Sequence, residues 1–271
     1  MSPTADSSLC GALEIDPDQY GPKGAITHWL GIYGRPTDSV KHGREILASD
    51  PQHSANIGAL IQSYVYLGMV DGANNLIAEP SSRMPDDNNI RNARISLTPA
   101  AGDNESFIEI AEEEFHSLDV NVGDELNVEK SVRAYRYAWA LLMKGENQQA
   151  ADYFYWIAGE EDRITSKTYD EITILKMLAL VYRRLDRIDE ARALLEQCKN
   201  LAEGARDRGW ATPSLYVRLA EVYAIGGDVE GAVRNLEIAY AKGWRELQDN
   251  PEINRIKVLI YEDLELQRQR L

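Results

Sequence analysis

Residues 173–198 read TILKMLALVYRRLDRIDEARALLEQC. Leu175, Leu178, Ala179 and Tyr182 fall at i, i+3, i+4 and i+7, which is one face of an α-helix. Leu185-Asp186-Arg187 then breaks the pattern, and Ala191, Leu195 and Cys198 resume it on a second helix. The stretch is predicted to be a helix–turn–helix pair. The small residues Ala179 and Ala191 let neighbouring helices approach closely, while the larger ones fill the space around them.

The pattern recurs on both sides. It returns as Tyr216, Leu219, Ala220, Tyr223, then Ala232, Leu236, Ala239, and also as Ala134, Tyr137, Ala138, Leu141, then Ala150, Phe154, Ile157. An earlier copy is Ile57, Leu60, Ile61, Tyr64, then Ala73 and Ile77. Short turns mark each copy, centred on Gly34, Gly68, Gly102, Gly145, Asp186 and Gly227. The first three markers are evenly spaced, and the later intervals are wider, at 43, 41 and 41. The surplus in the later intervals is about two helical turns and predicts longer helix pairs there. A single pair cannot bury its apolar face alone, so the pairs are expected to stack. In the third copy Pro99 is expected to shorten the first helix, and Thr98 stands where Tyr would be expected. Either that unit is degenerate or the loop around Met84 to Asn89 is a longer break.

LALVYRRLDRIDEARALLEQC (178–198) and LAEVYAIGGDVEGAVRNLEIAYAKGW (219–244) resemble the tetratricopeptide repeat family. The even spacing from Gly34 to Gly68 to Gly102 equals that family's period. The resemblance implies an all-α, right-handed superhelix of about six helix pairs over 20–245. A flexible segment would precede it at 1–19, and a capping helix would follow at 246–271. Ala241-Lys242-Gly243-Trp244 with Asp249-Asn250-Pro251-Glu252-Ile253 resembles the end of the repeat modules fused to bacterial winged-helix regulators and adenylate cyclases. That narrower likeness implies a sensing or docking role. Ile256, Leu259, Ile260 and Leu264 share one face of the final segment, as a solubilising cap requires.

Composition narrows the partners. The net charge of −15 repels phosphate backbones and anionic lipid surfaces, so neither nucleic acid nor membrane is an expected partner. The N-terminus lacks the basic and apolar regions of a secretory signal, and a cytoplasmic location is expected. Cys10 and Cys198 are far apart and are read as free thiols, with Cys198 buried in a helix. The four histidines, His28, His42, His53 and His116, have no metal-ligand spacing. There is no phosphate loop and no nucleophile elbow. Glu112 to Glu114 and Glu160 to Asp162 are read as solvated charge. No enzyme activity, metal or cofactor is expected.

What remains is the inner groove, which the first helix of each pair lines in tetratricopeptide stacks. Counting back from the turns places His28 there, then Gln62 and Tyr66, then Asn92 and Ser96. Tyr135, Trp139 and Met143 follow, then Lys176, Arg183 and Arg184, then Glu221. Tyr135, Trp139 and Met143 form an i, i+4, i+8 stripe suited to gripping a peptide, although the same stripe suits packing against another helix. Lys176, Arg183 and Arg184 form a basic island that suits a carboxylate, or equally ion pairs with nearby acidic residues. The family's carboxylate clamp is not met: Lys176 fits one place, but Leu180 and Trp139 stand where Asn is needed. The expected function is a scaffold binding a protein or peptide in its groove. The alternative is a ligand-sensing module of a bacterial signalling or transcription system, taking a small molecule or short peptide. Tyr153, Tyr155 and Trp156 are read as an outward patch for self-association.

Overall fold

The computed structural model describes residues 20–32, 35–118, 122–124, 127–159, 171–209 and 211–243. The regular structure among them is α-helical. In chain order the helices are α1 (Tyr20–Ile32), α2 (Pro36–Ser49), α3 (Ser54–Tyr66), α4 (Val70–Arg83), α5 (Asn88–Ala100) and α6 (Asn104–His116). Then come α7 (Val128–Lys144), α8 (Asn147–Ala158), α9 (Glu171–Arg184), α10 (Ile188–Asp207), α11 (Pro213–Ile225) and α12 (Val229–Ala241). The expected N-terminal segment and capping helix lie outside the described residues, as does Cys10.

One turn geometry ends five of the helices. Gly68, Gly102, Gly145 and Gly227 have φ of 67°, 77°, 80° and 82°, and Asp186 has φ of 59°. Met69 N–H donates to Tyr64 O at 2.8 Å and Gly68 N–H donates to Val65 O at 3.0 Å. The longer-range bond recurs from Asp103 to Thr98, Glu146 to Leu141, Arg187 to Tyr182 and Asp228 to Tyr223, at 2.8 to 2.9 Å. This paired closure satisfies helix-end carbonyls and needs a left-handed residue, which glycine supplies without a Cβ clash. Tyr33 and Gly34 lie outside the described residues.

Two expectations about the repeats need correction. Pro99 does not shorten its helix: α5 has 13 residues, as α3 does. Proline lacks the N–H that would bond Ile95 O, and the Thr98 hydroxyl donates to that oxygen instead, at 2.9 Å. The break at 84–87 is short, and Asp87 Oδ1 caps α5 by accepting from Asn89 N at 2.8 Å and Ile90 N at 3.1 Å. The later, longer intervals are also not uniformly longer helices. α7 has 17 residues and α10 has 20, but α8 and α9 have only 12 and 14.

The chain divides into two compact units. The first holds α1 to α5 with Gly209–Tyr216 and the residues from Glu237, and the second holds α6 to α10 with Val217–Leu236. In the first, α3 packs against α1, α2, α4 and α5. Ile57, Leu60, Ile61, Tyr64, Ile77 and Ile90 form its core, each large aliphatic contributing about 1.5–3 kcal/mol on burial. A polar seam crosses this core. The Ser39 hydroxyl lies 2.7 Å from Thr27 O and 2.6 Å from the Ser63 hydroxyl, within hydrogen-bond distance of both. Asn56 Nδ2 donates to Gly43 O at 2.9 Å. These buried bonds fix the register of α1, α2 and α3, because a slip would strand polar groups away from water.

In the second unit α7 packs on α6 and α8, and α9 packs on α8 and α10. Aromatic rings do much of the filling. Phe115 stacks on Tyr137 at 4.5 Å, and Tyr153 meets both edge-on at 5.2 and 5.0 Å. The expected outward patch is corrected here. Trp156 is buried and its indole N–H donates to Asp124 O at 3.1 Å, and Tyr153 is half-buried in the ring cluster. Only Tyr155 of the three stands out in solvent, at 62% exposure. Cys198 is buried, and burial pushes its thiol pKa up to about 12.

Candidate functional site

A cleft of about 340 Å³ opens on the first helices of the first unit. Its lining repeats with the sequence period. Gly24, Gly58 and Asn92 take one place on α1, α3 and α5, evenly spaced along the chain. Ala25, Ala59 and Ala93 take the next place at the same spacing. His28, Gln62 and Ser96 take the third, one helical turn further on. Ala55 and Asn89 form a fourth rung on α3 and α5. Equal spacing along the chain becomes equal height on packed helices, because α3 lies between α1 and α5 and touches both.

The three rungs differ in chemistry. The alanine rung keeps the floor shallow in side chain, so a bound chain can come close to the helix backbones. Gly58 brings α3 against α5: a Cβ there would stand 3.4 Å from Asn89 O. The third rung is polar. Ser96 Oγ donates to Asn92 O at 2.9 Å, and Asn89 Nδ2 donates to Ser54 Oγ at 3.2 Å. His28 reaches solvent, yet crowding by the cleft walls desolvates its ring and lowers its pKa. The imidazole is therefore neutral at pH 7, with one donor and one acceptor nitrogen. The lining residues carry no formal charge in a chain of net charge −15.

Sequence reasoning placed His28, Gln62, Asn92 and Ser96 on the inner face, and the structure brings all four into this cleft. It missed Gly24, Ala25, Ala55, Gly58, Ala59, Asn89 and Ala93, and it read Ile61, which also lines the cleft, as a packing residue. The signal for them was available, since a groove residue in one repeat implies its counterparts one period away. The side chain of Tyr66 lies outside the described residues.

In the second unit the inner positions are filled. Tyr135 and Trp139 are buried, at 6% and 8% exposure. Trp139 meets Phe107 edge-on at 6.2 Å and Tyr135 at 6.0 Å, and Tyr135 meets Phe154 at 5.7 Å. Met143 is half-buried. The basic island is not a single surface feature. Lys176 is buried and ion-paired with Glu221, whereas Arg183 and Arg184 are half-buried at the end of α9. Beside them Arg187 lies 3.8 Å over the Tyr182 ring and pairs with Glu190. Among the described residues no group of three His, Cys, Asp or Glu side chains is placed to hold a metal ion. None of the described helices is long and apolar enough to cross a membrane.

No protein-family model matches the chain, and no curated protein matches it. Among solved structures it is similar to a tetratricopeptide repeat protein from Parabacteroides merdae ATCC 43184. That match has 14% identity and a TM-score of 0.49, and covers 96% of this chain and 91% of that one. It is also similar to MamA, with 16% identity and a TM-score of 0.27, over 80% of this chain and 94% of that one. In the chain itself, five successive turns between helices are closed by one left-handed residue, and the first three marker turns are evenly spaced along the sequence.

Proposed function

We propose that the chain is a binding scaffold, and that the cleft on α1, α3 and α5 holds a segment of a partner protein. The observation behind this reading is the lining. Three successive repeats present alanine at one place and small or uncharged polar residues at two others, and together these leave an opening of about 340 Å³. That volume is at the lower end of the range for ligand sites, and Gln62, Asn89 and Asn92 line it with amide groups. Such groups match the alternating N–H and C=O of a peptide main chain. Met143, Arg183 and Arg184, which keep partial exposure, are proposed as secondary contacts on the second unit. No catalytic role is part of this reading. The chain would act as a cytoplasmic adaptor.

A second reading is favoured by the same volume. A small molecule would fill the cleft, and the chain would serve as a ligand-sensing module. A photo-crosslinking residue separates the two. Placed at exposed Asn92 it should give a discrete covalent adduct with a partner protein, and placed at exposed Glu203 on α10 it should give none. Adducts from Glu203 instead would move the binding face elsewhere. Thermal stabilisation by metabolites, with no adduct from Asn92, would favour the sensing module.

A further inference from the structure

His53 stands where α3 begins, and its ring is the acceptor that caps the helix. Asn56 N–H donates to His53 Nδ1 at 3.2 Å and shares that hydrogen with His53 O at 3.0 Å. Only an imidazole whose Nδ1 carries no proton can accept there. The ring also lies on α1: a Cβ on Gly24 would stand 3.1 Å from His53 Cε1 and 3.6 Å from His53 Nε2. Glycine at 24 therefore admits the ring between α1 and the first turn of α3. Both walls of that slot border the cleft, which Gly24 lines from α1 and Ala55 lines from α3.

A proton on Nδ1 turns this acceptor into a donor. It then faces the Asn56 N–H, and a cation sits at the positive end of α3. The ring cannot retreat toward α1, because its contact with Gly24 is already close. It must leave the cap, and the first turn of α3 loses an anchor beside Ala55. The helices packed on α3 carry charge of both signs. Asp50 follows α2, and its Oδ1 accepts from Gln52 N at 3.1 Å. Asp87 precedes α5 and accepts from the Ser54 hydroxyl, and Arg91 on α5 donates to Asn88 Oδ1 at 2.5 Å. Arg83 ends α4 and pairs with Glu79 at 2.7 Å. On α1, His28 stands one helical turn beyond Gly24. The four charged groups Asp50, Asp87, Arg83 and Arg91 each hold a partner of their own, and the Asn56 N–H is the group that meets the proton directly. Imidazole is the side chain whose charge changes between about pH 5 and 8.

We infer that His53 is an acid-sensitive latch on the cleft wall: its neutral ring holds the first turn of α3 against α1, and protonation releases that turn. The latch is a property of the wall and does not depend on which ligand the cleft takes. The test follows amide exchange of Ala55, Asn56 and Ile57 by NMR on the full chain at pH 7.5 and 5.5, corrected for the intrinsic rate at each pH. The parent is compared with His53→Asn, since asparagine is among the best capping residues and does not titrate. Loss of a cap of this kind corresponds to about tenfold in protection, which the parent should lose at pH 5.5. His53→Asn should keep its protection at both pH values. His53→Ala should show at pH 7.5 the weak protection that the parent shows only in acid. Circular dichroism checks that the variants are folded, and His53→Ser, another capping residue, replaces His53→Asn if it is not. An equal loss in the parent and in the capping variant assigns the acid response to another group, such as the His42 ring 2.9 Å from the Thr27 hydroxyl, and overturns the inference. Protection in the parent that is the same at both pH values overturns it as well.

Discussion

The first and second units place different residues at the same height on their first helices. Ten residues before each turn marker stand Gly24, Gly58 and Asn92 in the first unit, and Tyr135, Lys176 and Val217 in the second. Six residues before it stand His28, Gln62 and Ser96, against Trp139, Leu180 and Glu221. In the first unit these places line a cleft. In the second they hold buried rings, a buried Leu180 and an ion pair. One backbone plan therefore yields either an open binding face or a filled seam, and side-chain size decides which. Small residues give up packing energy where the cleft is open, and the polar seam of Ser39, Ser63 and Asn56 keeps the first unit in register without large rings.

The difference can be broken by mutation. Trp139→Ala should produce the largest change, a loss of about 3–5 kcal/mol in urea unfolding, because it empties a buried aromatic site. A change under 1 kcal/mol would mean that the second unit is not packed as described. Lys176→Met should cost about 3 kcal/mol by leaving Glu221 half-buried without its cation. Adding Glu221→Leu should restore most of that loss, and a double variant as weak as the single would contradict the pairing. Asp186→Gly should raise stability by about 0.5–1 kcal/mol, since Asp186 alone among the described non-glycine residues has positive φ. On the cleft side, Gln62→Ala should stay within about 0.5 kcal/mol of the parent while reducing capture of a cleft ligand.

Much of the fold was legible. Glycine or aspartate at the turn markers, and alanines recurring on each helix face, named the helix pairs before any coordinates. Pro99 was misjudged because its effect depends on a hydroxyl at the residue before it, and that bond appears only once the last turn of α5 is built. The site was half legible. Counting from the turns found the polar rung, His28, Gln62 and Ser96, but not the small rungs, since alanine and glycine carry no chemistry of their own. The stripe of Tyr135, Trp139 and Met143 could not be assigned from spacing, because groove and core places on a first helix share the same helical period. Burial separates them: Trp139 is covered by rings, and Met143 keeps some surface.

The most direct test of the binding face is hydrogen–deuterium exchange of the full chain with and without the partner captured by crosslinking at Asn92. The account predicts slowed exchange in 24–28, 55–62 and 89–96, with 135–143 and 176–184 unchanged. Slowing confined to 135–143 and 176–184 would contradict it and return the site to the second unit.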